Sequence, residues 1–457
     1  MALPEFNREI ANDVWDFKNY QVDFETGFML PNPLESLPPY FDSWNKLATN
    51  LPDLVKEKKF RDEVYKLPLL NHNLLEGCKQ LRLAHLQLSF IASAFVWQDG
   101  EKEATKVLPK CVAVPYFNVS KILGIPPILS HASLVLTNWG LINPNGNLKC
   151  LYRMPGEAEA EWFVMVTAHV EFTFAKCLKP IIMMLSEIKT IRESKSCVLG
   201  TGFVTEAAAL QVAQHLDALR ECISELQGAL SRMHEKLTAK TFFNVLRPFL
   251  GGWGGEGNPL PEGLIYEGIS ENPMKMTGGS AAQSSSMQIL DAFLGVQHTE
   301  EKREFLVHMR DFMPTEHRRL IEDLEKWPHK LRDVVLSSKS PTLRQSYNNC
   351  VQAVVNLRTY HMQIVTKYIV TASKEANEGN YESLDNKGTG GTSLIPFLKV
   401  IRSDTQQKLV SEKEPFQKSC SKQNFSAPAP FYRSTVLLFM AVVSIFAAAI
   451  FVRSVQQ

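Results

Sequence analysis

Apolar positions recur in steps of three and four along most of this chain, the period of helices that bury one stripe. Val351, Val354, Val355, Arg358, His361, Met362, Val365, Tyr368 and Ile369 share one such face. From Glu157 to about Phe174 another face carries Phe163, Val166, Thr167, Val170 and Phe174. Between Thr205 and Leu237 the residues Val212, Leu216, Leu219, Ile223, Leu226, Leu230, Met233 and Leu237 alternate steps of four and three, a heptad seam. Apolar helices continue on both sides of it, so it reads as the core helix of a bundle rather than a coiled-coil dimer. Ser285 followed by Gln288 fits a capping box and predicts a helix that starts there and carries Ile289, Leu290 and Phe293. Residues 1–155 mix shorter helical patterns with turns at Pro31, Pro33, Pro38, Pro39, Pro68, Pro126 and Pro127. The pattern predicts an all-α chain, with a small helical domain at 1–155 and a larger helical-bundle domain at 156–403.

Glycine-rich and polar stretches punctuate these helices. Gly251 opens GGWGGEGNP, Thr277 opens TGGSAAQSSS, and the polar run from about Ala376 to Ser393 contains Gly388-Thr-Gly-Gly-Thr392. The last reads as a mobile loop. Residues 404–433 are polar without periodicity and read as a flexible tether. The segment 434–452 follows. From Thr435 to Val452 it has 18 residues without a charge, bracketed by Arg433 and Arg453. As a helix it would be about 27 Å long, enough for a thin bilayer. A buried core helix would show a polar face, and this segment has none. It predicts a transmembrane tail anchor that holds a cytosol-facing body on the endoplasmic reticulum or the mitochondrial outer membrane. The N-terminus lacks the apolar region of a secretory signal.

Composition narrows the function. Of 457 residues, 49 are Lys or Arg and 48 Asp or Glu, scattered without a basic patch, which argues against a nucleic-acid partner. Eight separated cysteines with no C-x-x-C pair form neither a disulfide framework nor a zinc ribbon. G-x-S-x-G, H-E-x-x-H and Walker patterns are absent, and the Gly388 run lacks the lysine of a phosphate loop.

Four features carry candidate chemistry. His361 is either a satisfied core imidazole or an axial ligand for a haem iron. His169, the other histidine in an apolar helix, falls off the core stripe. Phe242-Phe-Asn-Val-Leu-Arg247 sets two rings beside a guanidinium, either as core and surface or as a clamp for an aromatic carboxylate. The TGGSAAQSSS run makes a turn or lets the backbone approach a flat ligand. Separately, Leu264-Ile-Tyr-Glu-Gly-Ile269 fits a tyrosine-based inhibitory pattern around Tyr266, the mark of a membrane-tethered signalling scaffold.

Taken in order, Phe242-Phe-x-x-x-Arg247, Gly278-Gly-Ser-Ala-x-Gln-Ser-Ser285, Leu357-Arg-x-Tyr-His361-x-Gln-Ile-Val-Thr-Lys-Tyr-Ile and Gly388-Thr-Gly-Gly-Thr392 closely resemble the indoleamine 2,3-dioxygenase family. Pro126-Pro-Ile-Leu-Ser-His-Ala-Ser-Leu-Val-Leu-Thr-Asn-Trp139 resembles it too, and the likeness spans roughly residues 5–403. It implies an all-α fold with haem b, active as Fe(II), between a small and a large domain. It also implies insertion of both atoms of O2 across the indole C2–C3 bond of L-tryptophan or a related indoleamine. By the same likeness His361 is the iron ligand, with Asp291 and Arg358 behind it. Phe243, Arg247 and Thr167 are catalytic. His131, Leu134, Val135, Phe163, Phe242, Phe243, Arg247, Leu250, Gly279, Ser280, Ala281 and Thr389 bind substrate. A reductase or small reductant is implied as a partner, and a monomer is expected.

Three positions depart from the familiar pattern. His131, Leu134 and Thr167 stand where Tyr, Cys and Ser are usual. A pocket change of one methyl group is worth about 1–3 kcal/mol, so these residues bear on substrate affinity. An oxygen-binding haem protein of the same fold, with little catalysis, is the alternative.

Overall fold

Helix α1 (Gly77–Trp97) is buried at every residue from Arg82 to Trp97. A helix buried all round has no polar face to set a period, so the short patterns of residues 1–155 give no sign of its length. The computed structural model that shows it describes residues 15–143, 147–193, 204–255, 257–376 and 394–411. The polar side chains of α1 hold other segments in place. Arg82 donates to Thr137 Oγ1 and to the Ala132 carbonyl, and His85 bonds Ser133 Oγ and the Pro126 carbonyl. Together they fix the stretch 126–137. Ser93 donates to the Phe249 carbonyl at 2.6 Å, tying α1 to a segment far along the chain. Helix α2 (Lys110–Leu123) packs on α1.

The helical bundle follows. Helix α3 (Glu157–Glu193) continues well beyond Phe174, through Pro180. A proline there has no N–H for the Lys176 carbonyl, and Cys222 Sγ donates to that carbonyl instead at 3.5 Å. Helix α4 (Glu206–Ser231) begins at Thr205, whose hydroxyl accepts from Ala208 N. Its seam residues Val212, Leu216, Leu219, Ile223 and Leu226 are buried, because α4 lies against α3 on one side and α7 (Pro341–Val365) on the other. The seam thus serves the chain's own bundle.

Helix α5 (Ser285–Leu294) starts where expected and buries Ile289, Leu290 and Phe293. The capping box, however, is Ser280 with Gln283, on the single turn Ala281–Gln283. Ser285 and Gln288 have tertiary partners instead: Ser285 Oγ meets Met313 Sδ, and Gln288 accepts from Arg310 Nε at 2.7 Å. Helix α6 (Thr315–Lys326) packs on α5, and α8 (Leu394–Gln406) packs on α7. The strands among the described residues are two-residue pairs. β1 (Val107–Leu108) runs parallel to β4 (Ile265–Tyr266), and β2 (Gly140–Leu141) runs antiparallel to β3 (Leu148–Lys149). The protein is mostly helical.

Packed chain continues past the expected start of the tether. Asp404 and Thr405 are buried in α8, and Val410 exchanges two backbone bonds with the Asn348 side chain. Among the described residues no helix is long and apolar enough to cross a membrane. The segment 434–452 lies outside them.

Candidate functional site

Helices α3, α4, α5, α7 and α8, with the stretches around 131–135, 237–250 and 279–288, enclose a cavity of about 370 Å³, within the range of small-molecule sites. The stripe of α3 reaches it through Phe163, Thr167, Val170 and Phe174. Phe163 and Phe242 lie 5.3 Å apart, and Phe242 meets Tyr368 edge-on at 5.8 Å, so three rings form one wall. Tyr368 belongs to a π-helical turn, Thr366–Thr371, that continues α7. Its hydroxyl is tied to the Leu237 carbonyl and to His234 Nδ1.

His361 lies in the last turns of α7 and lines this cavity. Burial, with a smaller push from the Arg358 charge, lowers its pKa to about 4. The imidazole is therefore neutral near pH 7, the form in which histidine offers a lone pair to a metal. One turn earlier, Arg358 sends one guanidinium nitrogen to both oxygens of Asp291, at 2.8 and 2.6 Å. Its other terminal nitrogen bonds Thr405 Oγ1 and the Ile401 carbonyl. Burial would raise the Asp291 pKa, but Arg358 and His298 outweigh it and hold the carboxyl below its ordinary value.

A second buried carboxylate also lines the cavity. Glu171 follows Thr167 by one turn on α3 and accepts from His131 Nε2 at 2.9 Å and from the Ser284 and Ser286 hydroxyls at 2.6 Å each. Burial pushes its pKa up, and His131 and the two hydroxyls more than reverse that. His131 opens the short turn His131–Leu134, and its backbone N–H is anchored on Gln283 Oε1. Thr167 turns its hydroxyl back onto its own helix, bonding the Val164 carbonyl at 2.8 Å. That proton is committed to the backbone.

Most of the expected site residues meet here: His131, Leu134, Val135, Phe163, Thr167, Phe242, Leu250, Gly279, Ser280, Ala281, Asp291, Arg358 and His361 all line the cavity. Phe243 and Arg247 do not. The segment Phe242–Leu246 is a π-helical turn, and one position beyond Phe242 the side chain faces elsewhere; the Arg247 guanidinium rests 5.2 Å from the Phe243 ring centre. Thr389 lies outside the described residues. The glycines of TGGSAAQSSS serve protein as well as cavity: a Cβ on Gly278 would collide with Gly252 N and the Leu250 carbonyl. His169 is half-buried and off the cavity wall. Tyr266 is wholly buried in β4 and donates to the Pro127 carbonyl at 2.6 Å, which closes it to a phosphate-transferring partner.

Glu171, Ser284, Ser286, His298, Asp404 and Tyr368 are absent from the sequence-derived site. Glu171 had a signal, a carboxylate on the stripe of Phe163, Thr167, Val170 and Phe174. His298 and Asp404 had none, since 106 positions separate the partners.

A neutral histidine on the wall of a largely apolar cavity, backed by an arginine–carboxylate pair, suits an iron porphyrin: the imidazole for the metal, the apolar wall for the macrocycle. Fold and site define a helical haem protein. The chain matches the indoleamine 2,3-dioxygenase family over residues 16–408, and it belongs to that family. It is 44% identical over 388 residues to a myoglobin of Haliotis madaka, covering 85% of this chain and 97% of that one. To indoleamine 2,3-dioxygenase 2 of Mus musculus it is 39% identical over 402 residues, 86% of this chain and 95% of the other. Indoleamine 2,3-dioxygenase 1 of Rattus norvegicus is 39% identical over 408 residues, covering 86% and 96%.

Proposed function

We propose that this protein is a haem-dependent dioxygenase that inserts both atoms of O2 across the indole C2–C3 bond of L-tryptophan to give N-formylkynurenine, opening the kynurenine route of tryptophan catabolism. The observation that carries this reading is the neutral His361 on the wall of an apolar cavity in a chain of the indoleamine 2,3-dioxygenase family. Haem b, when bound in the ferrous state, supplies the activation of O2. The chain's own part is to bind, orient and dry the reactants. His361 would hold the iron, steadied through Arg358 and Asp291. Phe163 and Phe242 would confine the indole ring. Leu134, Val135, Leu250, Gly279, Ser280 and Ala281 would exclude water around it, while His131, fixed by Glu171, adds one polar edge.

Arg247 would take the substrate carboxylate, and to do so its guanidinium, which rests beside the Phe243 ring, must reach the cavity. Thr167, with its proton held by Val164, would act through shape and an acceptor lone pair rather than as an acid. In this reading a small domain, 1–155, brings the 131–135 wall to a larger one, 156–403. Thr389 would help to enclose the substrate. An external reductant keeps the iron ferrous, the protein acts as a monomer, and residues 434–452 anchor it on an intracellular membrane with the body in the cytosol.

Incubating the ferrous protein with L-tryptophan and O2 tests the reaction. N-formylkynurenine absorbance is expected, and its absence from a haem-loaded protein would sink the proposal. The likeness to a chain named myoglobin favours one second reading, an oxygen-binding haem protein. A stable oxygen complex without product in the same cuvette would select it.

A further inference from the structure

One buried side chain joins two walls of the cavity. Gln283 is 1% exposed. Its Oε1 accepts from His131 N at 3.1 Å and from Ser280 N at 3.3 Å, and its Nε2 donates to the Gly278 carbonyl at 2.9 Å. Two N–H groups and a carbonyl as partners admit a single orientation of the amide, with both lone pairs of Oε1 in use. His131 and Gln283 are 152 positions apart in the chain.

Each wall is fastened elsewhere as well. The turn His131–Leu134 hangs on α1, where Arg82 holds the Ala132 carbonyl and His85 bonds Ser133 Oγ. The stretch 278–281 sits on the segment 250–252: Gly279 N donates to the Leu250 carbonyl at 3.0 Å, and a Cβ on Gly278 would collide with Gly252 N. The first stretch gives the cavity His131, Leu134 and Val135, and the second gives it Gly279, Ser280 and Ala281. Glu171 also spans the joint, but it does so through the His131 ring and the Ser284 hydroxyl. Gln283 binds the two backbones, and a backbone carries every side chain of its turn with it. A shift of either turn changes the width of the space between them.

We propose that Gln283 is a positioning residue for the substrate: its amide sets the spacing of the 131–135 and 279–281 walls, and with it the fit of the flat indole ring. This rests on the tryptophan reading of the cavity. An amide suits the task because it meets N–H and C=O groups together without burying a charge. Methionine is of similar length but offers no such bonds, so it would leave all three backbone partners unmet. Unmet buried groups either part until water reaches them or admit a water between them. Asparagine keeps the amide but is one methylene shorter, and it cannot reach all three partners at once.

The test is the dissociation constant of L-tryptophan from the haem-loaded, full-length protein in its ferrous, carbon-monoxide form. It is read from the shift of the Soret band, with haem content and melting temperature measured alongside. Carbon monoxide blocks turnover, so the readout is binding alone. Gln283→Met should weaken binding about tenfold, the scale of one hydrogen bond's worth of fit. Its haem content should match wild type, because the three Gln283 bonds reach nothing on α7, the helix of His361. Gln283→Asn should fall between wild type and Gln283→Met. If Gln283→Met does not fold, Gln283→Asn carries the test: weaker binding supports the proposal and wild-type affinity overturns it. A lower melting temperature with an unchanged dissociation constant would mark a purely structural role and overturn it too, as would failure of both variants to fold with haem. A wild-type protein whose Soret band ignores tryptophan would refute the tryptophan reading and the proposal with it, a distinct result.

Discussion

Lowering the pH from 7 to about 5 should destabilise the haem-free protein through histidines that are buried neutral. His85 and His317 are both held at about 3, against an ordinary 6.5, chiefly by burial. Geometry explains the first: His85 has Ser133 Oγ on one nitrogen and the Pro126 carbonyl on the other, so its ring is satisfied with a single proton. His317 packs edge-on against Phe28 at 4.8 Å, with no solvent to stabilise a charge. The unfolded chain takes up a proton at each as pH falls through 6.5, and the folded chain does not. Stability is therefore intact above that value and is lost progressively until the folded value near 3 is reached. Between pH 7 and 5 the linkage integral is about 2 kcal/mol per histidine, about 4 kcal/mol for the pair. That is a large part of a typical 5–15 kcal/mol. Glu171 and Asp291, whose pKa values lie below their ordinary range, lose their contribution only as pH falls through the usual carboxylate values and lower, so this window isolates the histidines. Urea unfolding, followed by the helical signal at both pH values, measures the loss. His317→Leu should shrink the pH 7-to-5 difference by about 2 kcal/mol, whatever the variant does to the baseline. A variant that loses as much as the wild type over this interval would refute the reasoning.

Other outcomes follow from the site. His361→Ala should abolish stable haem binding, and an unchanged Soret band would remove the ligand assignment. Glu171→Gln sets an amide donor against three donors, His131 and the Ser284 and Ser286 hydroxyls; it should cost about 3 kcal/mol, and a melting temperature equal to wild type would contradict that. Arg247→Ala should raise KM for tryptophan strongly at unaltered haem content, whereas unaltered kinetics would show the carboxylate is held elsewhere. Deleting residues 434–457 should move the protein from the membrane pellet to the supernatant, and identical fractionation would rule out an anchor there.

The sequence by itself determined the helical character, the stripes of α3, α4 and α7, and the face on which His361 lies. These follow from local periodicity, which needs only neighbours three and four positions away. It also determined most of the cavity wall, because Phe163, Thr167 and the Gly279–Ala281 turn sit in motifs that can be recognised in order. Tertiary structure alone decided the rest. Helix α1 hid its length because burial on all sides erases the period. The capping box moved to Ser280 and Gln283 because Ser285 and Gln288 found partners on other segments. Phe243 and Arg247 meet as their four-residue spacing foresees, but only the folded chain decided that Phe242, one position away, is the residue that lines the cavity. The buried ions were the least legible. Glu171 with Ser284, and His298 with Asp404, are joined across more than a hundred positions, and a charge becomes affordable in a core only when the folded chain brings its partner to it.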